Sequence, residues 1–362
     1  MIANRLMHSN TARIAWLDGV KALAMILVYL GHVLEKLHQK NGFESALLPW
    51  QLIYSFHLPL FFILAGLLAK PQYLNICTAA IEKARTRLLP LLFFSLLILP
   101  AWWYLGSAEQ CAHNASMYRY GLPAFNLPSW FLLCLFMVEI EILLLFRILP
   151  PDHSWQTLLS AALFFAIGYL LAPQLPLIAA RLQVPAHSWF IYESLIAAGF
   201  YLVGYSSRQL IVNLPRTRWL ALVTICAALL WYLAACGNPV PFFRVVLLVA
   251  SAHGNYGLFL LAALSGSVMT ITLLRLCDPD SRSFTFIARN SLIYLGLNGF
   301  FFHFIDDRVF TMIGFIPDRP WAVIGFAGIY VAATMLLLAP IVMFLRRFFG
   351  WWLGIRTTAT QR

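Results

Sequence analysis

The run from Trp16 to Val33 is apolar enough to cross a bilayer, yet it carries an acid, a base and an imidazole: Asp18, Lys21 and His32. Charge inside a membrane span costs about 2.5–3.5 kcal/mol on insertion scales, so such residues face the protein interior and serve a function. Lys21 and His32 are eleven residues apart. On an α-helix that places them about 20° beyond three full turns, so both leave one face, separated by about 16 Å along the axis. Asp18 and Lys21 form an (i, i+3) pair that neutralises charge at the near end. The bland alternative makes Asp18 and Lys21 interfacial anchors, the lysine snorkelling, and His32 a core histidine bonded to a carbonyl.

This run is one of many. Of 362 residues, 61% are hydrophobic and 11% charged, where soluble proteins average about 25% charged. The mean hydropathy is +0.79. Repeated apolar stretches of about 20 residues define an all-α polytopic membrane protein. Ten spans are expected, at 14–35, 50–69, 88–106, 128–149, 156–172, 189–206, 217–235, 254–276, 285–305 and 320–347, in a single domain over 1–362. The stretch 240–252 is short and broken by Pro239 and Pro241, which points to an interfacial or re-entrant segment. Nothing reads as a cleavable signal, since the first span keeps its charges and lacks a small-residue cleavage site. Six cysteines show no CxxC or metal-ligand spacing, so neither a metal site nor a disulfide framework is expected.

The net charge of +11 would suit nucleic acid, but the basic residues sit in short loops between spans, which is a topology signal. With the N-terminus in the cytoplasm, sixteen of the 25 Lys and Arg fall on that side and seven on the other. Lys21 and Arg289 lie within spans. Both termini are therefore expected in the cytoplasm, with His32 and His57 near the outer face. Consecutive spans on a short loop pack as an antiparallel pair, which brings the two histidines to similar depth. Pro59 loosens the helix just after His57. A packing histidine is the bland reading of His57. Imidazole suits a general base, because its unperturbed pKa is about 6.5. Asp18 lies about 21 Å along the helix from His32, too far to orient it, and no GxSxG elbow occurs.

Asp18-Gly-Val-Lys21, ten residues and His32 together resemble the opening helix of the acyltransferase-3 family of integral membrane O-acyltransferases, with lysine where arginine is commoner. Phe56-His-Leu-Pro-Leu-Phe-Phe-Ile-Leu-Ala-Gly66 resembles that family's second signature, a His-x-Pro-x-Phe-Phe run ending in glycine. The resemblance implies His32 as the essential histidine and Lys21 as its basic partner. It also implies acyl transfer, with acetyl-CoA as donor, no bound cofactor, and a lipid-linked oligosaccharide or polysaccharide hydroxyl as acceptor. A bacterial inner membrane is the expected setting.

Further candidates lie along the chain. Arg85 and Arg87 stand where the family carries an arginine motif often spaced RxxR, and guanidinium groups suit the phosphates of coenzyme A. The positive-inside rule explains them equally. Trp130 belongs to a segment resembling the family's Trp-Phe-Leu run, with an interfacial aromatic belt as the bland reading. Glu139 and Glu141 share one span, and Glu139 is the deeper candidate for substrate contact. The segment Arg289 to Asn298 resembles a penultimate-helix signature that often ends in histidine; Asn298 stands nearby and can hydrogen-bond an acyl oxygen or a sugar hydroxyl. The competing functional class is a secondary transporter, which also uses buried charges and broken helices. The second half holds no counterpart of the Asp18, Lys21 and His32 pattern, which counts against it.

Overall fold

A bilayer offers no water to a peptide group, so an apolar chain must close its hydrogen bonds within each segment, and the helix does this. The computed structural model describes residues 15–69, 76–151, 153–240, 244–313 and 317–355. Among them the helices are α1 (Ala15–Gln39), α2 (Leu47–Tyr54), α3 (His57–Leu67), α4 (Ile76–Leu105), α5 (Ala108–Met117), α6 (Trp130–Ile148), α7 (Ser154–Leu171), α8 (Leu175–Leu182), α9 (Ile191–Ser206), α10 (Arg208–Val212), α11 (Arg218–Gly237), α12 (Tyr256–Cys277), α13 (Arg282–Arg289), α14 (Ser291–Phe300), α15 (Asp306–Ile313) and α16 (Pro320–Phe348). The described residues include no strand, only an isolated bridge between Leu247 and Ala252.

Seven segments are long and apolar enough to span a bilayer: α1, Glu44–Leu67 through α2 and α3, α4, Ser154–Leu182 through α7 and α8, α11, α12 and α16. The other three expected spans are helical but differ for separate reasons. The 19 residues of α6 hold Glu139, Glu141 and Arg147. Only 16 residues make up α9. The stretch 285–305 is not one helix: it breaks at Asn290 (φ −114°, ψ 14°) and again at the π-turn Phe301–Ile305. The described residues of 240–252 form no span; 241–243 lie outside the described residues, as do Arg5, Arg13, Lys70, Arg356 and Arg362 of the charge count. The described part of that stretch folds back, with Asn238 donating from Nδ2 to the His253 carbonyl at 2.8 Å and accepting at Oδ1 from the Asn255 N–H at 2.7 Å.

Burial separates inner from outer helices. The apolar window of α1 is 61% buried, against 11% for Ser154–Leu182, so α1 is an inner helix and α7 presents its sides to lipid. Helices α2, α3, α12, α13, α14 and α16 all pack on α1. Helix α14, the π-turn and α15 run parallel to it: Tyr29 bonds the Tyr294 carbonyl, His32 meets Phe302 and Lys36 meets Asp307. This register arranges polar groups at two levels along one helix.

Candidate functional site

At the N-terminal level of α1, a cavity of about 400 Å³ is lined by Lys21, Lys83, Arg87, Glu139 and Ser291. Lys83 and Arg87 are four residues apart on α4 and share a face. Both reach Glu139 of α6, Lys83 Nζ donating to Oε1 at 2.9 Å. Arg87 forks across the same carboxylate, Nε to Oε2 and Nη2 to Oε1, each at 3.0 Å. Glu139 is 4% exposed while the two cations are 21% and 25% exposed, so the bases keep a face toward the cavity. Glu139, the candidate for substrate contact, is thus paired with two of the bases of this cluster. Arg85 is two residues from Arg87, about 200° around the helix. It turns outward, with its guanidinium 5.8 Å from the Trp351 ring. The structure therefore separates the two arginines and substitutes Lys83 for Arg85. Asp18 sits in the first turn of α1, one turn before Lys21.

At the C-terminal level stands His32. Its Nδ1 lies 3.1 Å from the Tyr54 hydroxyl and 3.4 Å from Glu35 Oε2. The Tyr54 O–H donates to that same Glu35 oxygen at 2.7 Å. A hydroxyl has one proton to give, and the carboxylate receives it. The tyrosine oxygen is therefore an acceptor toward His32, and so is Glu35. Both neighbours require the proton on Nδ1, which leaves the lone pair on Nε2. An edge of Phe302 closes one side, ring centres 5.0 Å apart.

His57 is positioned by a break in its own span. Phe56 leaves helical geometry (φ −144°, ψ −21°), and Pro59 has no N–H to offer. The Ile53 carbonyl then accepts from the Phe56 N–H at 3.3 Å and from the His57 Nδ1–H at 2.9 Å. Tyr54 lies between the two imidazoles, 6.2 Å from the His32 ring and 4.8 Å from that of His57. The two histidines thus share a neighbourhood without touching. Beyond them, Lys36 pairs with Asp307 at 3.1 Å, and the Tyr330 hydroxyl donates to Asp306 at 2.6 Å.

Asn298 is buried on α14, its Oδ1 unbonded by other described residues, and lies against the Tyr29 hydroxyl one turn below His32. Trp130 packs in the core on Phe190, ring centres 5.2 Å apart, and lines neither level. Glu141 faces away from Glu139, taking a hydrogen bond from Ser194. The sequence reading does not reach Glu35 or Tyr54, and it takes Lys83 only as the start of the basic stretch Lys83 to Pro90. Two of them carried a signal: Glu35 follows His32 by three residues and Lys83 precedes Arg87 by four, both same-face spacings.

The acyltransferase-3 family profile, described as an acyltransferase domain, matches residues 14–353. A nodulation protein, NolL of Sinorhizobium fredii (strain NBRC 101917 / NGR234), is 30% identical over 180 residues, covering 43% of this chain and 48% of NolL. The similarity thus spans about half the length of that curated relative. No solved structure is significantly similar.

Proposed function

This chain belongs to the acyltransferase-3 family and is an acyltransferase, and we propose that it moves an acetyl group from acetyl-CoA to a sugar hydroxyl of a lipid-linked saccharide or exopolysaccharide unit in a bacterial inner membrane. The observation that carries the reading is the His32 arrangement: Nδ1 is occupied by Tyr54 and Glu35, so Nε2 holds the lone pair a base needs. In the proposed step the acceptor oxygen attacks the thioester carbonyl as Nε2 takes its proton. The carbonyl re-forms, the carbon–sulfur bond breaks, and the imidazolium returns the proton to the departing sulfur. Glu35 stabilises the imidazolium while it exists, and Tyr54 fixes the ring orientation.

The donor end is supported by Lys21, Lys83 and Arg87 on one cavity. Charge-assisted bonds from these groups suit the phosphates of coenzyme A. About 16 Å separates Lys21 from His32 along α1, so the donor lies extended, its phosphates at the basic level and its thioester toward the imidazoles. Val28 and Leu58 line the same cavity, carrying it toward the His57 level. Proteoliposomes of the full chain, given labelled acetyl-CoA and extracted bacterial lipid-linked saccharides, are expected to place label in a base-labile ester on the saccharide. Label that never leaves coenzyme A contradicts the reading.

A further inference from the structure

On the far side of α1 from the Lys21 cavity, a groove of about 660 Å³ opens between α1, α13, α14 and α16. Its walls are apolar, with Ile26 and Leu30 from α1, Phe286 from α13, and Val331, Met335 and Leu336 from α16. It faces outward: Leu336 is 74% exposed and its neighbour Leu337 71%, on a helix of 29 residues that is long and apolar enough to span the bilayer. Arg282 and Phe286 also line an adjoining recess of about 370 Å³, whose other walls include Arg289, Asn290 and Arg346. Three guanidinium groups thus gather at one end of an apolar groove. All three arginines are exposed. The ion pairs found among the described residues involve none of them. Arg346 is steadied by donating from Nη1 to Asn290 Oδ1 at 2.8 Å.

We propose that this groove and its arginine recess form a binding site for an anionic phospholipid, distinct from the acyl-transfer site. Complementarity decides the ligand. The groove opens on the lipid-facing side of α16, so an acyl chain fills it without leaving the hydrocarbon. Guanidinium groups match phosphate through paired, charge-assisted bonds, and basic pockets between spanning helices are where anionic headgroups settle. A zwitterionic lipid brings an ammonium that offsets the same arginines. The break at Asn290 creates the recess, because it ends α13 beside Arg289 and turns the chain into α14. The bound lipid bridges α13 and α16, the helices that flank α1 on this side.

Native mass spectrometry of the full chain in detergent, titrated with phosphatidylglycerol and phosphatidylcholine of identical chains, tests this. Phosphatidylglycerol is expected to bind at least about tenfold more tightly. The triple variant Arg282→Gln, Arg289→Gln, Arg346→Gln is expected to erase that preference. Gly328→Trp fills the groove from a position where a side chain meets open space, and is expected to weaken phosphatidylglycerol binding at least about tenfold. Melting temperature establishes that each variant is folded; should the triple variant fail, Arg289→Gln replaces it and is expected to reduce the preference. Millimolar inorganic phosphate is expected to leave the lipid in place. Equal affinity for the two lipids, a preference that survives the arginine changes, unaltered binding in Gly328→Trp, or displacement by inorganic phosphate would each overturn the proposal.

Discussion

His32, the base of the proposed transfer, is held by its immediate neighbours. His32 and Glu35 occupy one face of α1, and Tyr54 arrives from α2 to bond both. The histidine was legible because it interrupts an apolar run. Its carboxylate partner was legible in principle, three residues on and on the same face. Tyr54 was less legible: the short loop pairs the first two spans, but only the fold shows that Tyr54 is the residue of α2 that meets both His32 and Glu35. The basic cluster teaches the same lesson from rotation. Residues two apart diverge by about 200°, so Arg85 and Arg87 belong to different surfaces, and only Arg87 reaches the cavity. Arg87→Gln is therefore expected to raise the dissociation constant for acetyl-CoA at least tenfold, given about 1.5–3 kcal/mol for a charge-assisted bond. Arg85→Gln is expected to change it less than twofold. Calorimetric titration of both variants checks this, and equal effects of the two changes would send Arg87 back to being a topology signal.

At the level of elements, close crossings and breaks place these residues. Helices α3 and α9 touch through Gly66 and Gly204. A Cβ on Gly66 would overlap the Tyr201 carbonyl oxygen, and one on Gly204 would overlap that of Ile63. Small residues at such crossings let backbones approach where lipid gives no hydrophobic drive. Gly66 closes the Phe56–Gly66 signature, so its presence was visible in the sequence, but its partner Gly204 lies 138 residues away and was not. Gly66→Leu and Gly204→Leu are each expected to cost about 1–3 kcal/mol or more, since the clash is with backbone that cannot swing aside. Gly325→Leu, facing open space on α16, serves as the control. Thermal melts in detergent decide: melting temperatures for all three within a degree or so of the parent would refute the tight crossing. Periodicity located the long spans well. It failed at 285–305, where Asn290 and the π-turn break one expected helix into pieces. Those breaks cost apolar continuity but bring Phe302, Asp306 and Asp307 to the His32 level.

Across the whole molecule, composition was enough to define an all-α membrane protein, and two polar levels lie along α1. Lys21, Lys83 and Arg87 mark one end, His32 and Lys36 the other. If the loop charges orient the chain as the positive-inside rule directs, the basic level faces the cytoplasm, where acetyl-CoA is made, and His32 faces outward. Reporters fused at either terminus and near position 78 are expected to read cytoplasm, and those near 42 and 114 the exterior. A cytoplasmic signal at position 42 would reverse the depth assigned to His32.

In the proposed transfer His32 takes the proton of the acceptor hydroxyl, and His32→Gln is the sharpest probe of that step. Glutamine keeps polarity and approximate size and can still hydrogen-bond Tyr54 or Glu35, but it cannot accept a proton at neutral pH. General-base assistance contributes about 10²–10⁴-fold. Transfer of labelled acetyl to saccharide, measured in proteoliposomes at matched protein level and with the melting temperature unchanged, is expected to fall by that factor. Transfer by the glutamine variant at near the parent's rate would show that His32 is not the base and leave it a structural residue.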